Sequence, residues 1–176
     1  MAGHNKWSKI KHKKAASDAQ KSAVFGKLAR SITVESKKVG GDTSAPSLRA
    51  VIEKARMVNM PKDNIERAVQ KGTGADASSL EEVLYEAYGP GGSALLIEGV
   101  TDNRNRTGAE IKHLLSKHGA DLATPGAAMW AFEKTDEGYD PKTTVPLSET
   151  DGEKIGSLID ALEEHDDVQN VYTTAS

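Results

Sequence analysis

VLYEAYGPGGSALLIEGV, residues 83–100, decides the fold. Val83, Tyr85 and Ala87 recur at every second position, the period of a strand with one buried face. Glycine and proline at 89–92 then punctuate the chain, and SALLIEGV follows as a second apolar run. The segment reads as strand, turn, strand. Upstream the period is helical. Val24, Leu28 and Ile32 recur four apart beside Phe25 and Ala29, one apolar stripe of a helix that begins near Ala15 and stops at Gly40-Gly41. A second helix is expected over 46–59, with Leu48, Val51, Ile52 and Ala55 inward. A third starts at Pro61, whose fixed φ and missing N–H suit a first helical turn; Ile65, Ala68 and Val69 face inward and Gly72 serves as its cap. Residues 72–79, GTGADASS, read as a linker.

Downstream of the hairpin a helix is expected over 107–118, with Ile111, Leu114 and Leu115 on one side and Gly119 as cap. AAMWAFEK (127–134) and KTTVPLS (142–148) read as strands, the latter an edge because Pro146 cannot donate to a ladder. Thr150 and Glu153 form a capping box ahead of the stripe Ile155, Leu158, Ile159 and Leu162. A strand over 168–174 ends the pattern. The expected fold class is α+β. An N-terminal three-helix domain (1–75) precedes a ferredoxin-like β-β-α-β-β-α-β domain (76–176), an antiparallel sheet with helices on one face.

Charge divides along the same line. Residues 1–71 hold 16 Lys/Arg and 6 Asp/Glu, while the remainder holds 7 and 20, so the net charge of −3 conceals a basic leading part and an acidic trailing part. That polarity points to a polyanion held by one half of the molecule. The arm MAGHNKWSKIKHKK places Lys6, Lys9, Lys11, Lys13 and Lys14 around Trp7 and His12, and the first helix continues with Lys21, Lys27 and Arg30. Lysines of this density suit phosphate contact, and an interleaved tryptophan suits stacking on an unpaired base. The competing reading is a solvated tail, which explains neither the tryptophan nor the acidic opposite end. DNRNRT (102–107) sets Arg104 and Arg106 at a helix start, suited either to a phosphate or base edge or to capping and pairing with nearby acids.

Other chemistry finds little support. With no cysteine there are no disulfides, thiolate metal sites or cysteine nucleophile. His113 and His118, five apart on a helix, fall on different faces, and no metal-ligand motif or G-x-S-x-G elbow occurs. Gly89-Pro90-Gly91-Gly92 lacks the G-K-[ST] and the helix of a phosphate loop. The acidic run Glu163, Glu164, Asp166 and Asp167 reads as a solvated face. An RNA-recognition sheet would carry two or three aromatics on its central strands, which an acidic half in a chain of 5% aromatics does not match. No signal-like h-region and no membrane-length apolar run occurs, so a soluble cytoplasmic protein is expected.

Four separated stretches, MAGHNKWSKIKHKKAASDAQKS, NMPKDNIERAVQKGTG, YEAYGPGG and TDNRNRT, closely resemble the YebC/PmpR family, which includes the mitochondrial translational activator of cytochrome c oxidase subunit I. The resemblance covers residues 1 to about 134 and resumes through KTTVPLS and LIDALEEHDDVQNVY. It implies three domains, the third inserted within the second. Here only TDEGYDP separates Lys134 from Lys142, so the inserted domain is missing. The resemblance further implies a non-enzymatic protein with no catalytic residues to carry over, and from the residues themselves no metal or cofactor is expected. The function it implies is that of a probable DNA-binding transcriptional regulator. The alternative is a ribosome-associated, rRNA-binding translation factor that relieves stalling at proline-rich stretches. The partner in either case is nucleic acid, DNA or RNA, with no membrane and no small-molecule substrate. The matching basic segment here is Lys6, Trp7, Lys9, Lys11, His12, Lys13 and Lys14. No recognition-helix pattern for the major groove is evident, which favours RNA over a specific operator.

Overall fold

The computed structural model describes residues 18–75 and 79–176. These form two compact units: one comprises 18–75, 79–82 and 100–104, the other 83–99 and 105–176. The α+β class expected from the sequence is what the chain adopts, helices first and then a sheet with helices. Among the described residues, no helix is long and apolar enough to cross a membrane.

The helical unit contains α1 (Asp18–Lys38), α2 (Pro46–Met57) and α3 (Lys62–Thr73). Ile32, Leu48, Ile52, Ala55, Met60, Ile65 and Ala68 form its core, with Phe25 and Leu28 packed against it. Val24 departs from the expected stripe: it is 44% exposed, so the buried face of α1 begins only at Phe25. The most extensive helix packing in this unit is between α1 and α3. There Thr33 Oγ1 donates to Ala68 O at 3.1 Å and Ser36 Oγ to Val69 O at 2.6 Å, so two hydroxyls tie one helix to the carbonyls of the other. Gly72 lies buried at this crossing and is not the helix cap that its position in the sequence suggests. The helix runs on to Thr73 and Gly74 follows as C-cap, because it is close packing that requires a glycine at 72. Pro61 is likewise the N-cap of α3, one residue ahead of the helix it was expected to open.

The second unit is built on a four-stranded sheet of order β3-β1-β2-β6, where β1 is Glu81–Tyr88, β2 Ala94–Thr101, β3 Asp121–Ala123 and β6 Val168–Thr173. The 3₁₀ turn Pro90–Gly92 links β1 to β2, closed by Gly89 N–H donating to Ser93 O at 2.8 Å; Gly91 and Gly92 take φ of +69° and +77°, open to glycine without strain. Strand β2 is buried along both faces, which explains an unbroken apolar run where a one-sided strand would alternate. Leu95 and Ile97 pack with Ile111 and Leu115 of α4 (Arg104–Lys117) and with Ile155, Leu158 and Leu162 of α5 (Glu149–Glu164). Leu96, on the opposite face, packs with Ala131, Phe132 and Tyr172.

That opposite face is where the structure departs from expectation. Residues 127–131 are turn and a short 3₁₀ segment, and the strand begins only at Phe132. Strands β4 (Phe132–Thr135) and β5 (Gly138–Pro141) pair as a separate two-stranded hairpin instead of joining the main sheet. Residues 142–148 form no strand: Val145 makes a single bridge to Ala175, and Pro146 has no N–H to continue it. The fourth place in the sheet goes to β3, only three residues long and without a readable alternation. Helix α4 starts at Arg104, three residues before the expected start, so most of DNRNRT is helix. Helix α5 is capped by Ser148, whose Oγ accepts from Asp151 N–H at 3.1 Å, in place of the expected Thr150–Glu153 box. Glu86 on β1 is only 6% exposed. Its Oε1 accepts from Gly126 N–H at 2.6 Å, and its Oε2 from Ala128 and Met129 N–H at 2.7 and 2.9 Å, pinning the segment that leads to the hairpin.

Candidate nucleic-acid interface

The described cations of the basic half lie exposed or half-buried on the helical unit. Lys6, Trp7, Lys9, Lys11, His12, Lys13 and Lys14 lie outside the described residues. Lys21 is exposed on the first turns of α1, and Lys27 and Arg30 are half-buried further along it. Arg30 Nη1 donates to Val100 O at 3.3 Å. Toward the C-terminus of α1 the cations are already engaged. Lys37 donates to Leu80 O at 3.3 Å, and Lys38 lies 2.8 Å from Glu35 and 2.9 Å from Glu82. Burial pulls the Lys38 ammonium downward, but its bonds to Glu35 and Glu82 outweigh that and leave its pKa raised.

Between α1 and α3 lies a groove of about 420 Å³. Phe25, Ala29 and Met60 contribute apolar surface; Arg30, Asn64, Arg67 and Lys71 contribute polar surface, and no carboxylate among the described residues lines it. Arg67 and Lys71 sit four residues apart on α3 and so share a face. The Arg67 guanidinium is held by its own helix, Nε donating to Asp63 O at 3.3 Å and Nη2 to Asn64 Oδ1. Gly26 opens the opposite wall, with nothing within 4 Å of where a Cβ would stand. Gly26→Ala is therefore expected to stabilise the protein by about 0.5–1 kcal/mol, the ordinary gain for replacing glycine inside a helix. The check is a urea midpoint that rises at unchanged slope. A second groove, between α2 and α3, sets Arg49, Arg56 and Lys62 against Glu53 and Glu66, with Lys62 and Glu66 3.5 Å apart. Its mixed sign makes it a poorer seat for a polyanion.

Arg104 and Arg106 both fall in the first turn of α4, and each is held against a carboxylate. Arg104 Nη2 is 3.0 Å from Glu81 Oε2, and that hydrogen bond holds the Glu81 carboxyl below its usual range. Arg106 Nη2 is 2.9 Å from Asp167 Oδ2, which is buried and also accepts from Thr107 Oγ1 at 2.7 Å. Asp167 thus belongs to the interior and not to the solvated acidic face read from the sequence. Around it the fold gathers Glu110, His165 and Asp167 within 4.8 Å, a grouping with no signature in residue spacing. His165 Nδ1 accepts from Asp167 N–H at 3.1 Å, so Nε2 carries the proton toward Glu110 Oε2 at 2.6 Å. With the Arg106 guanidinium on Asp167 and a proton between His165 and Glu110, the cluster links α4 to the start of β6.

Arg67 and Lys71 are the residues that sequence reasoning passed over. The signal was present, two cations four apart on a helix after NMPKDN, but it was read only for the apolar side of α3.

Two family models match the chain. The TACO1/YebC protein N-terminal domain covers residues 5–75, and the TACO1/YebC second and third domain matches in two pieces, 80–137 and 134–175. A protein of Fervidobacterium nodosum named "Probable transcriptional regulatory protein" is 40% identical over 233 positions, covering 98% of this chain and 92% of that protein. A protein of the same name from Carboxydothermus hydrogenoformans is 40% identical over 237 positions, covering 98% and 97%. These alignments are longer than the 176-residue chain, so the relatives carry a stretch for which it has no residues. The break in the match falls at the β4–β5 turn, where the missing domain was expected. The crystal structure of a conserved hypothetical protein from Aquifex aeolicus superposes with a TM-score of 0.88 at 32% identity, covering 98% of this chain and 97% of that one.

Proposed function

The chain belongs to the TACO1/YebC family, and we propose that it is a non-enzymatic, cytoplasmic regulator of gene expression that binds nucleic acid through its helical unit. The observation that carries this reading is the concentration of 16 of the 23 Lys/Arg in residues 1–71. The groove between α1 and α3, lined among the described residues by Arg30, Arg67 and Lys71 and by no carboxylate, adds to it. In this reading Lys21, Lys27 and Arg30 act with the lysines of 6–14 on phosphates, while the acidic half is repelled and stays off the strand. The names of the curated relatives agree with a regulatory role. Crosslinking in cells, followed by sequencing of the bound nucleic acid, tests it. A defined set of DNA or RNA sites that disappears when residues 1–14 are removed is expected. Recovery no higher than from an untagged strain would contradict it.

A second reading is favoured by the 20 acids that follow residue 71. The basic unit would hold ribosomal RNA while the acidic unit meets protein. Cosedimentation with ribosomes in a sucrose gradient at physiological salt is the expected outcome of that reading, and a protein that stays at the top of the gradient rules it out.

A further inference from the structure

We propose that the groove between α1 and α3 is a seat for one unpaired nucleotide of a single-stranded nucleic acid, its base against Phe25 and its phosphate between Arg67 and Lys71. This rests on the nucleic-acid reading above and specifies which form of nucleic acid is taken and where. Three features of the groove lead to it. The first is size: about 420 Å³ lies within the roughly 300–1,000 Å³ of small-ligand sites, suited to a nucleotide and far too small for a duplex. The second is composition. A half-buried aromatic beside Met60 gives a sequence-tolerant stacking surface, Arg67 and Lys71 give positive charge, and no carboxylate among the described residues lines the groove. The third is preorganisation. Arg67 is already fixed by Asp63 O and Asn64 Oδ1, so little side-chain freedom is lost when a phosphate arrives. Asn64, at the same wall, offers an amide that can address a base edge. The neighbouring α2–α3 groove has similar apolar lining but carries Glu53 and Glu66 among its cations, whereas the described lining of this groove carries cations alone.

The full chain can be titrated into fluorescein-labelled oligothymidylate, oligouridylate and a duplex of equal length, with anisotropy as the readout. Two variants separate the groove from general electrostatics. Arg67→Glu with Lys71→Glu reverses both exposed phosphate contacts. Gly26→Leu fills the open wall without altering charge, at a helical position where nothing lies within 4 Å of the new Cβ. The wild type is expected to prefer either single strand to the duplex. The double variant should weaken single-strand binding at least tenfold and flatten the log K against log salt slope by about 1.4, two phosphates at about 0.7 each. Gly26→Leu should weaken single-strand binding several-fold and leave duplex binding unchanged. Single-strand binding by both variants equal to the wild type, or a preference for duplex, overturns the groove assignment while leaving the regulator reading intact. A wild type that binds none of the three probes overturns both.

Discussion

Glu86→Ala is expected to destabilise the protein by about 3 kcal/mol or more, as the loss of a buried acceptor from several N–H groups implies. One carboxylate satisfies three backbone N–H groups, those of Gly126, Ala128 and Met129, at 2.6–2.9 Å. Truncation leaves these donors facing a cavity, beneath a segment that carries Ala128 and Ala131 into the core. Glu86→Gln is the sharper probe. Its amide presents one acceptor and one donor, so either Gly126 or the Ala128–Met129 pair must face an N–H; a cost of about 1–3 kcal/mol follows. The pH dependence has a definite sign. Burial pushes the Glu86 carboxyl up, but the three N–H groups more than reverse this, and its pKa lies below the ordinary 4.5. The carboxylate's contribution is therefore complete above that ordinary value and is lost as pH falls through the lower folded pKa. Once protonated, the wild type carries an O–H where Gln carries an N–H. Urea midpoints of wild type and Glu86→Gln should differ clearly at neutral pH and converge in acid. A gap independent of pH would contradict the assignment.

Gly72→Ala should be destabilising by roughly 2 kcal/mol, opposite in sign to the same change at Gly26. A Cβ at 72 would stand 2.5 Å from Ser36 Cβ and 2.6 Å from both Ser36 Oγ and Thr33 O. Thr33 O is backbone and cannot swing aside, so α1 and α3 must move apart. Separation strains the Thr33–Ala68 and Ser36–Val69 bonds, each worth about 1 kcal/mol net. The intrinsic helical gain of about 0.5–1 kcal/mol from replacing glycine offsets only part of this. Equal urea midpoints for Gly72→Ala and Gly26→Ala would refute the close crossing of the two helices. Because the crossing also forms the walls of the Phe25–Lys71 groove, Gly72→Ala should alter nucleotide binding as well as stability.

The helical stripes and the first hairpin were legible because their signals are local: Leu28 and Ile32, Leu48 and Ile52, and Ile65 and Val69 each lie four apart, and β2 is an apolar run after a glycine turn. What the sequence hid depends on neighbours that come from elsewhere in the chain. Gly72 at a helix end looks like a cap, and only the position of Ser36 shows it to be a contact. Glu86 alternates with inward-facing Tyr85 and Ala87, so it reads as a solvent-facing residue. Residues 126–129 then cover that outer face and bury it. Residues 127–134 read as a strand of the main sheet and 138–141 not as a strand at all, because a strand's sequence does not name its partner. The candidate interface was half legible. Charge directed attention to residues 1–71, but density of lysine drew it to α1 and away from Arg67 and Lys71, which line the groove between α1 and α3. The groove those two residues share with Phe25 is a product of tertiary packing.

The most direct test of the account is the affinity of the full chain for a labelled single strand, measured across a range of salt concentrations. About 5 to 8 neutralised phosphates, at about 0.7 each on a single strand, predict a log K against log salt slope of about −3.5 to −5.6. A slope near zero, or binding undiminished by the loss of residues 1–14 together with Arg67 and Lys71, would contradict it.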